Sequence, residues 1–351
     1  MHRSLITNLI VWFGFTVAAS AAPPVELELA TDRGVQITAP QEWLQLLADI
    51  GIDQVTIRGQ QSDDEPVAKN VGTAERPRYR VVGIITSQNL RLPGGTFTTA
   101  QRTQLKDYFD RLGADGAESL TAPRGRFGLT EKEFATVLTD LSQLVDFETE
   151  DQPLKTVLDQ MQSKLKLKCE IDADAARRIR EALPVADNLK NFSAGTSLAI
   201  LLRGAGLSFR PEKPRGQVID YRIAVADPAT LGKSTLGTLA DKNPTCWPIG
   251  WESNKSPGET APSLLGTRIV EIDGYSLEEA LAAIAPLAKV PLLFDHAALA
   301  ARNIEPAKIQ VKLPRGQLTY RRMIDRILSQ ARLGSQVRVD EGGTPFLWIT
   351  R

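Results

Sequence analysis

Side chains suited to chemistry are few in this sequence. Its 351 residues include two histidines, His2 and His296, and two cysteines, Cys169 and Cys246. A Ser-His-Asp or Cys-His centre needs an imidazole base within reach of its nucleophile, and only His296 lies beyond the N-terminal segment. His296 follows Asp295 where a strand ends and a helix opens, which reads as an aspartate helix cap beside an exposed histidine. Asp63, Asp64 and Glu65 are a compact acidic group, but no further ligand is spaced around them as a cation loop requires. A solvated acidic loop is expected there. Pro93-Gly94-Gly95 lacks the Lys-Ser/Thr ending of a phosphate loop and reads as a turn. A zinc site of His and Cys would consume every residue of those types. No catalytic, cofactor-binding or metal-binding residue is assigned, and no cofactor is expected.

Two further features bear on binding. Trp247 and Trp251, in Cys246-Trp247-Pro248-Ile249-Gly250-Trp251, offer aromatic faces to a sugar or a partner side chain, or else pin the loop onto a neighbouring domain. Cys169 lies in Leu165-Lys166-Leu167-Lys168-Cys169-Glu170-Ile171, whose apolar/charged alternation puts it on the inward face of a strand. Cys169 and Cys246 either form a disulfide or stand as a buried thiol and a loop thiol.

The compartment decides whether a disulfide persists. His2 and Arg3 precede an apolar run from Leu5 to Val17, then Ala18-Ala19-Ser20-Ala21-Ala22-Pro23. A charged start, a short hydrophobic stretch and small residues predict a secretory signal peptide over 1–21, cut after Ala21. The mature chain is then expected outside the cytoplasm, periplasmic or secreted. No later stretch is long and apolar enough to span a membrane. With 42 basic against 42 acidic residues there is no electrostatic footprint for nucleic acid.

The elements that would position these residues form an α+β, multi-domain chain, and part of it is an internal repeat. Residues 153–172 align without a gap to 276–295, with Leu154/Leu277, Leu158/Leu281, Lys166/Lys289 and Asp172/Asp295 identical. Leu154, Val157, Leu158, Met161 and Leu165 keep helical spacing before Leu167, Cys169 and Ile171 switch to period two. Leu277, Ala280, Leu281, Ile284 and Ala288 do the same before Val290, Leu292 and Phe294. Strands are expected before each helix, at Val145–Thr149 and Arg268–Asp273. A second helix follows in each copy, marked by Leu198, Leu201 and Leu202 or by Ile324, Ile327 and Leu328. Each closes on two strands, Leu207–Arg210 with Val218–Ala224, and Gln336–Val339 with Pro345–Thr350.

The predicted layout is an N-terminal α+β domain over 22–143, a first repeat over 144–225, a linker or insertion over 226–267, and a second repeat over 268–351. In the first domain Glu26–Ala30, Gln54–Arg58 and Tyr79–Thr86 read as strands. Trp43, Leu46, Leu47 and Ile50 mark one helix, and Leu105, Tyr108, Phe109 and Leu112 mark another. Thr130 with Glu133 reads as a capping box opening a third. The polar stretch from Gly59 to Arg76 is expected to be a mobile loop.

Pro153-Leu154, Ile171-Asp172, Phe192-Ser193 and Gly204-Ala205-Gly206-Leu207-Ser208-Phe209 resemble the line of the STN domain (secretin and TonB N-terminus). Ser276-Leu277 and Phe294-Asp295 resemble it in the second copy, where Gln330-Ala331-Arg332-Leu333 lacks the glycine before its leucine. Phe294-Asp295-His296, Ile304-Glu305-Pro306 and the tail from Asp340 to Thr350 resemble a group of secreted bacterial signal-peptide proteins, a likeness that implies no activity. The STN resemblance implies a protein-interaction module without catalytic residues. The expectation is therefore a non-enzymatic binding or scaffold protein of the cell envelope with a protein partner. The alternative is a secreted carbohydrate-active or hydrolytic protein using carboxylates of the N-terminal domain, with Trp247 and Trp251 as its platform.

Overall fold

The computed structural model describes residues 24–35, 38–73, 76–214, 218–227 and 244–350. The signal-peptide reading and its cut near Ala21 lie outside the described residues. The chain mixes helices and strands in the α+β manner and divides into two compact units, between Ala122 and Pro123.

The first unit is one mixed sheet with helices. Val25–Thr31 (β1) runs parallel to Val55–Gly59 (β2) through the crossover helix Ala39–Asp49 (α1), whose start carries Pro40. Val67–Asn70 (β3) pairs antiparallel to Tyr79–Ile85 (β4), which is itself parallel to β1. Leu90–Leu92 (β5) and Gly95–Phe97 (β6) form an antiparallel hairpin beyond β4, before the helix Arg102–Asp115 (α2). Leu29, Trp43, Leu47, Val81, Ile85 and Leu105 meet in its core. At the Pro93-Gly94 turn the Tyr108 hydroxyl donates to the Pro93 carbonyl at 3.0 Å. Gly94 has φ +75°, and a Cβ there would lie 2.0 Å from the Leu120 carbonyl oxygen, so the turn requires glycine.

The stretch from Gly59 to Arg76, expected as a mobile loop, is partly built. β3 pairs with β4 from within it, and Arg58 holds Asp64 with two bonds of 2.5 and 2.6 Å. Arg58 also reaches Glu28 at 2.5 Å, and its guanidinium keeps the Asp64 carboxyl well below the usual range, near 2. Asp64 anchors the turn to the sheet, while Asp63 and Glu65 are exposed, as expected of a solvated acidic loop.

The second unit starts earlier than expected. The helix Glu131–Leu141 (α3), assigned by sequence to a domain ending at 143, buries Val137 and Leu141 in the same core as Leu158 and Leu198. Its capping box forms: Thr130 accepts from the Glu133 amide, and the Glu133 carboxylate accepts from the Thr130 amide.

Two copies of one arrangement follow. In the first, Leu154–Lys164 (α4), Cys169–Ile171 (β7), Ala173–Glu181 (α5), Ala194–Gly204 (α6), Leu207–Glu212 (β8) and Asp220–Val225 (β9) give a sheet ordered β7-β9-β8. In the second, Thr267–Ser276 (β10) and Leu277–Ala288 (α7) come first, then Leu292–Phe294 (β11) and His296–Ala300 (α8). Gln310–Thr319 (β12), Tyr320–Gln330 (α9), Gly334–Val339 (β13) and Pro345–Thr350 (β14) complete it, with a sheet ordered β11-β14-β13. In both sheets the first strand is parallel to the last and the middle one antiparallel.

Individual bonds repeat as well. The Asp172 amide donates to the Ile223 carbonyl and the Asp295 amide to that of Ile349; the Tyr221 amide donates to Lys168 and the Leu347 amide to Pro291. Gly206, before Leu207, has φ +67°, and Arg332, before Leu333, has φ +56°. The second copy keeps the left-handed turn without the glycine, a conformation that costs a non-glycine residue on the order of 1 kcal/mol.

The copies differ in their outer strands. β10 and β12 form a long antiparallel ribbon, which starts at the pair Thr267↔Thr319. The equivalent pair in the first copy, Leu144↔Ser193, is an isolated bridge, so the strand expected at Val145–Thr149 does not form. There Thr149 Oγ1 donates to the Asp187 carbonyl and accepts from the Leu189 amide, so a side chain replaces the ladder.

Leu158 and Leu281, equivalent by alignment, are buried in two separate cores. Truncating either to alanine should cost about 2–5 kcal/mol. Denaturant unfolding of the two single variants checks this; a loss below about 1 kcal/mol for one would break the equivalence.

Candidate functional site

The polar centre of the second unit is a joint of three segments remote in sequence. The β13–β14 turn carries Asp340 and Glu341 to the N-terminus of α6. There the Asp340 carboxylate accepts from the Ser193 amide at 2.8 Å and from the Thr344 amide at 2.7 Å. Ser193, in the N-cap position, spends its hydroxyl on the Gly342 amide at 2.9 Å. Capping of α6 falls to Glu341, whose Oε2 accepts from the Thr196 amide and hydroxyl, both at 3.0 Å. Its Oε1 accepts from Trp247 Nε1 at 2.7 Å and from Trp251 Nε1 at 3.2 Å. A Cβ at Gly195 would lie 2.7 Å from that oxygen, so only glycine admits the carboxylate. Burial pushes the Glu341 carboxyl up to about 7, against the pull of Trp247 Nε1, its own backbone amide and the Thr196 amide and hydroxyl.

Trp247 and Trp251 are 3% and 8% exposed, an arrangement of the kind that pins a loop and not of a platform open to a ligand. Trp247 stacks on Phe127 and Phe209 at 5.6 and 6.0 Å and meets Trp251 edge-on at 5.3 Å. Burying two indoles requires acceptors for both N–H groups, and Glu341 supplies one oxygen for the pair. The part of 226–267 that holds them is therefore core, not a free linker. The Trp247 amide donates to Phe209 on β8, and Trp251 bridges Val339 on β13 in both directions, so the segment joins the two sheets. Residues 228–243 lie outside the described residues.

Cys169 and Cys246 are both thiols, not bridged to each other. Cys169 lies on β7, whereas Cys246 precedes the residue that bonds the outer side of β8, beyond β9. Two strand spacings, roughly 10 Å, exceed the span of about 7 Å that a disulfide allows. Burial, followed by the charges of Asp140 and Asp220, pushes the Cys169 thiol up to about 11.

A cleft of about 230 Å³ opens where the copies meet. α6 and the 182–187 loop line one side of it, and Asp295, His296, Ala297 and Trp348 the other. Asp295 is 1% exposed and caps α8 by accepting from the Ala298 amide, as expected. Both its oxygens also take the Arg203 guanidinium of the first copy, at 2.8 Å each. His296 is exposed, with 44% of its side chain accessible, and its Nε2 lies 3.0 Å from the Asp187 carboxylate across the same junction. That hydrogen bond raises the imidazole above its ordinary value. A His-Asp pair suits proton transfer; among the described residues that line the cleft there is no serine, threonine or cysteine.

The third feature is the ribbon edge. Ile269 and Tyr275 on β10 are 64% and 54% exposed. Among the described residues, no backbone hydrogen bond beyond those to β12 reaches Thr267–Tyr275. Each strand carries one bulge, at Pro314 and Arg315 on β12 and at Asp273 and Gly274 on β10, so the regular part of the β10 edge is Thr267–Ile272.

Comparison with known protein families, curated proteins and solved structures finds no match. Among the described residues no group of three His, Cys, Asp or Glu is placed to hold a metal ion. None of their helices is long and apolar enough to cross a membrane. Sequence reasoning missed Glu341, Arg203 and Asp187. The one available signal was two loop tryptophans whose N–H groups would need an acceptor if buried.

Proposed function

We propose that the chain is a non-catalytic binding protein of the cell envelope, exported through its N-terminal signal peptide. Its two repeats act as STN-like modules, and a protein partner adds an extended strand to β10. The exposed, unpaired edge of β10 carries this reading. Strand addition draws affinity from backbone bonds and specificity from alternate side chains, and β10 offers both an open edge and exposed Ile269 and Tyr275. The repeated order of elements, with its left-handed turn before Leu207 and Leu333, supports the STN resemblance.

The carbohydrate-active alternative draws on a tryptophan platform and free carboxylates. Trp247 and Trp251 are buried, and Asp64 is held by Arg58.

A double variant, Ile269→Lys with Tyr275→Lys, tests the proposal. Charges on an edge strand oppose strand addition, while substitutions at such exposed positions shift stability by no more than about 0.5 kcal/mol each. Pull-down from the native envelope fraction should lose the partner retained by the unaltered chain. Unchanged capture by the double variant would rule out β10 as the docking edge.

A further inference from the structure

We infer that a second molecule of this chain docks its α9 onto the outer face of the β7-β9-β8 sheet, repeating between molecules the joint that holds the two copies together within one. That surface is separate from β10. Inside the molecule, α6 of the first copy lies on the outer face of the second copy's sheet. Ala199 and Ile200 share one core there with Leu293, Phe346 and Trp348, and Arg203 bonds Asp295 beside them. A helix of one copy on the sheet of the next is a contact that can recur, because each copy carries both parts.

The parts the joint leaves over are α9 and the first copy's sheet. Leu144↔Ser193 corresponds to Thr267↔Thr319, so Thr196, Ala199 and Ile200 of α6 fall on Arg322, Asp325 and Arg326 of α9. Cys169↔Tyr221 corresponds to Leu292↔Leu347, so Leu293, Phe346 and Trp348 fall on Glu170, Asp220 and Arg222. Charged residues stand in both parts where the joint has neutral ones. Contact with solvent accounts for polarity at both ends of a repeat array, but not for opposite signs. On α9, Arg321 pairs with Asp325, while Arg322 and Arg326 are exposed without an ion pair among the described residues. On the sheet, Lys168, Arg210 and Arg222 pair with Glu170, Glu212 and Asp172, which leaves Asp220 over. Burial, followed by the charges of Glu170 and Glu212, pushes the Asp220 carboxyl up, as befits an acid in want of a cation. Two free arginines at one end and that acid at the other meet when molecules stack in the order of the copies. The contact is head-to-tail, so it builds chains or rings and not a two-fold dimer.

Sedimentation velocity of the full mature chain tests this. In about 20 mM salt the sedimentation coefficient should rise with concentration over about 1–200 μM, and about 0.5 M salt should abolish the rise by screening the exposed charges. Arg322→Glu with Arg326→Glu, or Asp220→Lys alone, should weaken association about tenfold or more. Mixed in equal amounts, the two altered chains should associate again, since each now carries the charge that the other's changed face needs. That recovery also shows that both fold. The Ile269→Lys, Tyr275→Lys chain should associate as the unaltered one does, which separates this surface from β10. No rise with concentration at low salt, association that neither reversal weakens, no recovery in the mixture, or loss of association in the β10 variant would each overturn the inference.

Discussion

Replacing Glu341 with alanine should lower the stability of the second unit by about 4 kcal/mol, among the largest losses available to one residue. The change removes the acceptor for Trp247 Nε1, Trp251 Nε1 and the Thr196 amide and hydroxyl together. Each buried donor left alone costs about 1–3 kcal/mol, less where water can enter. Glu341→Gln should cost less. Its carbonyl oxygen still serves one pair of donors, but its amide group faces another, and of that pair only the Thr196 hydroxyl can turn to accept.

The pH dependence distinguishes the two substitutions from simple loss of packing. With the Glu341 carboxyl pushed up to about 7 in the folded chain and near 4.5 unfolded, the folded state binds more protons between those values. Stability therefore falls as pH rises from about 4.5 to 7, by roughly 3 kcal/mol, and then levels off. His296 has a raised folded value too, so its smaller, solvent-screened contribution is also lost as pH rises. Urea unfolding at pH 5 and pH 8 should show this slope in the unaltered chain and a much flatter one in Glu341→Gln. An equal slope in both would place the titration elsewhere.

Neighbouring residues in the cleft should differ sharply in their effects. Asp295→Ala leaves the Arg203 guanidinium, whose side chain is 12% exposed, without the carboxylate that holds it from both sides. It also uncaps α8 at the Ala298 amide. Breaking a buried pair in this way costs about 3–5 kcal/mol. His296→Ala, one residue on, removes an exposed pair and should stay within about 0.5 kcal/mol. Thermal unfolding of the two variants side by side checks the contrast, and comparable losses would mean that the two copies are not joined through Arg203 and Asp295.

The sequence made some of this legible and hid the rest for identifiable reasons. Leu154, Leu158 and Met161, with Leu277, Leu281 and Ile284, mark the first helix of each copy because one stripe of an amphipathic helix is buried. The Asp295 cap and the Thr130–Glu133 box are local, so spacing reveals them. β3 was hidden because Val67–Asn70 carries one half-buried residue and so no alternation. α5 was hidden because its buried stripe is only Ala175 and Ile179 amid charged residues. Glu341 could not be read at all: its partners lie at Thr196, Trp247 and Trp251, and nothing near it in sequence signals a burial that the fold alone creates. The same limit hid Arg203 and Asp187, which matter only because the second copy places Asp295 and His296 against them.

The central claim, strand addition at β10, is tested most directly by site-specific photo-crosslinking. A photoreactive residue would be placed in turn at each position from Arg268 to Ile272, the stretch of β10 free of its own bulge, and at exposed Leu44 of the first unit as a control. With the native envelope fraction added, crosslinks to one partner should recur at alternate positions of β10, because successive side chains of a paired strand point to opposite faces. They should be absent at Leu44 and lost in the Ile269→Lys, Tyr275→Lys background. Crosslinks without that period, or none on β10 while the unaltered chain still captures the partner, would contradict the account.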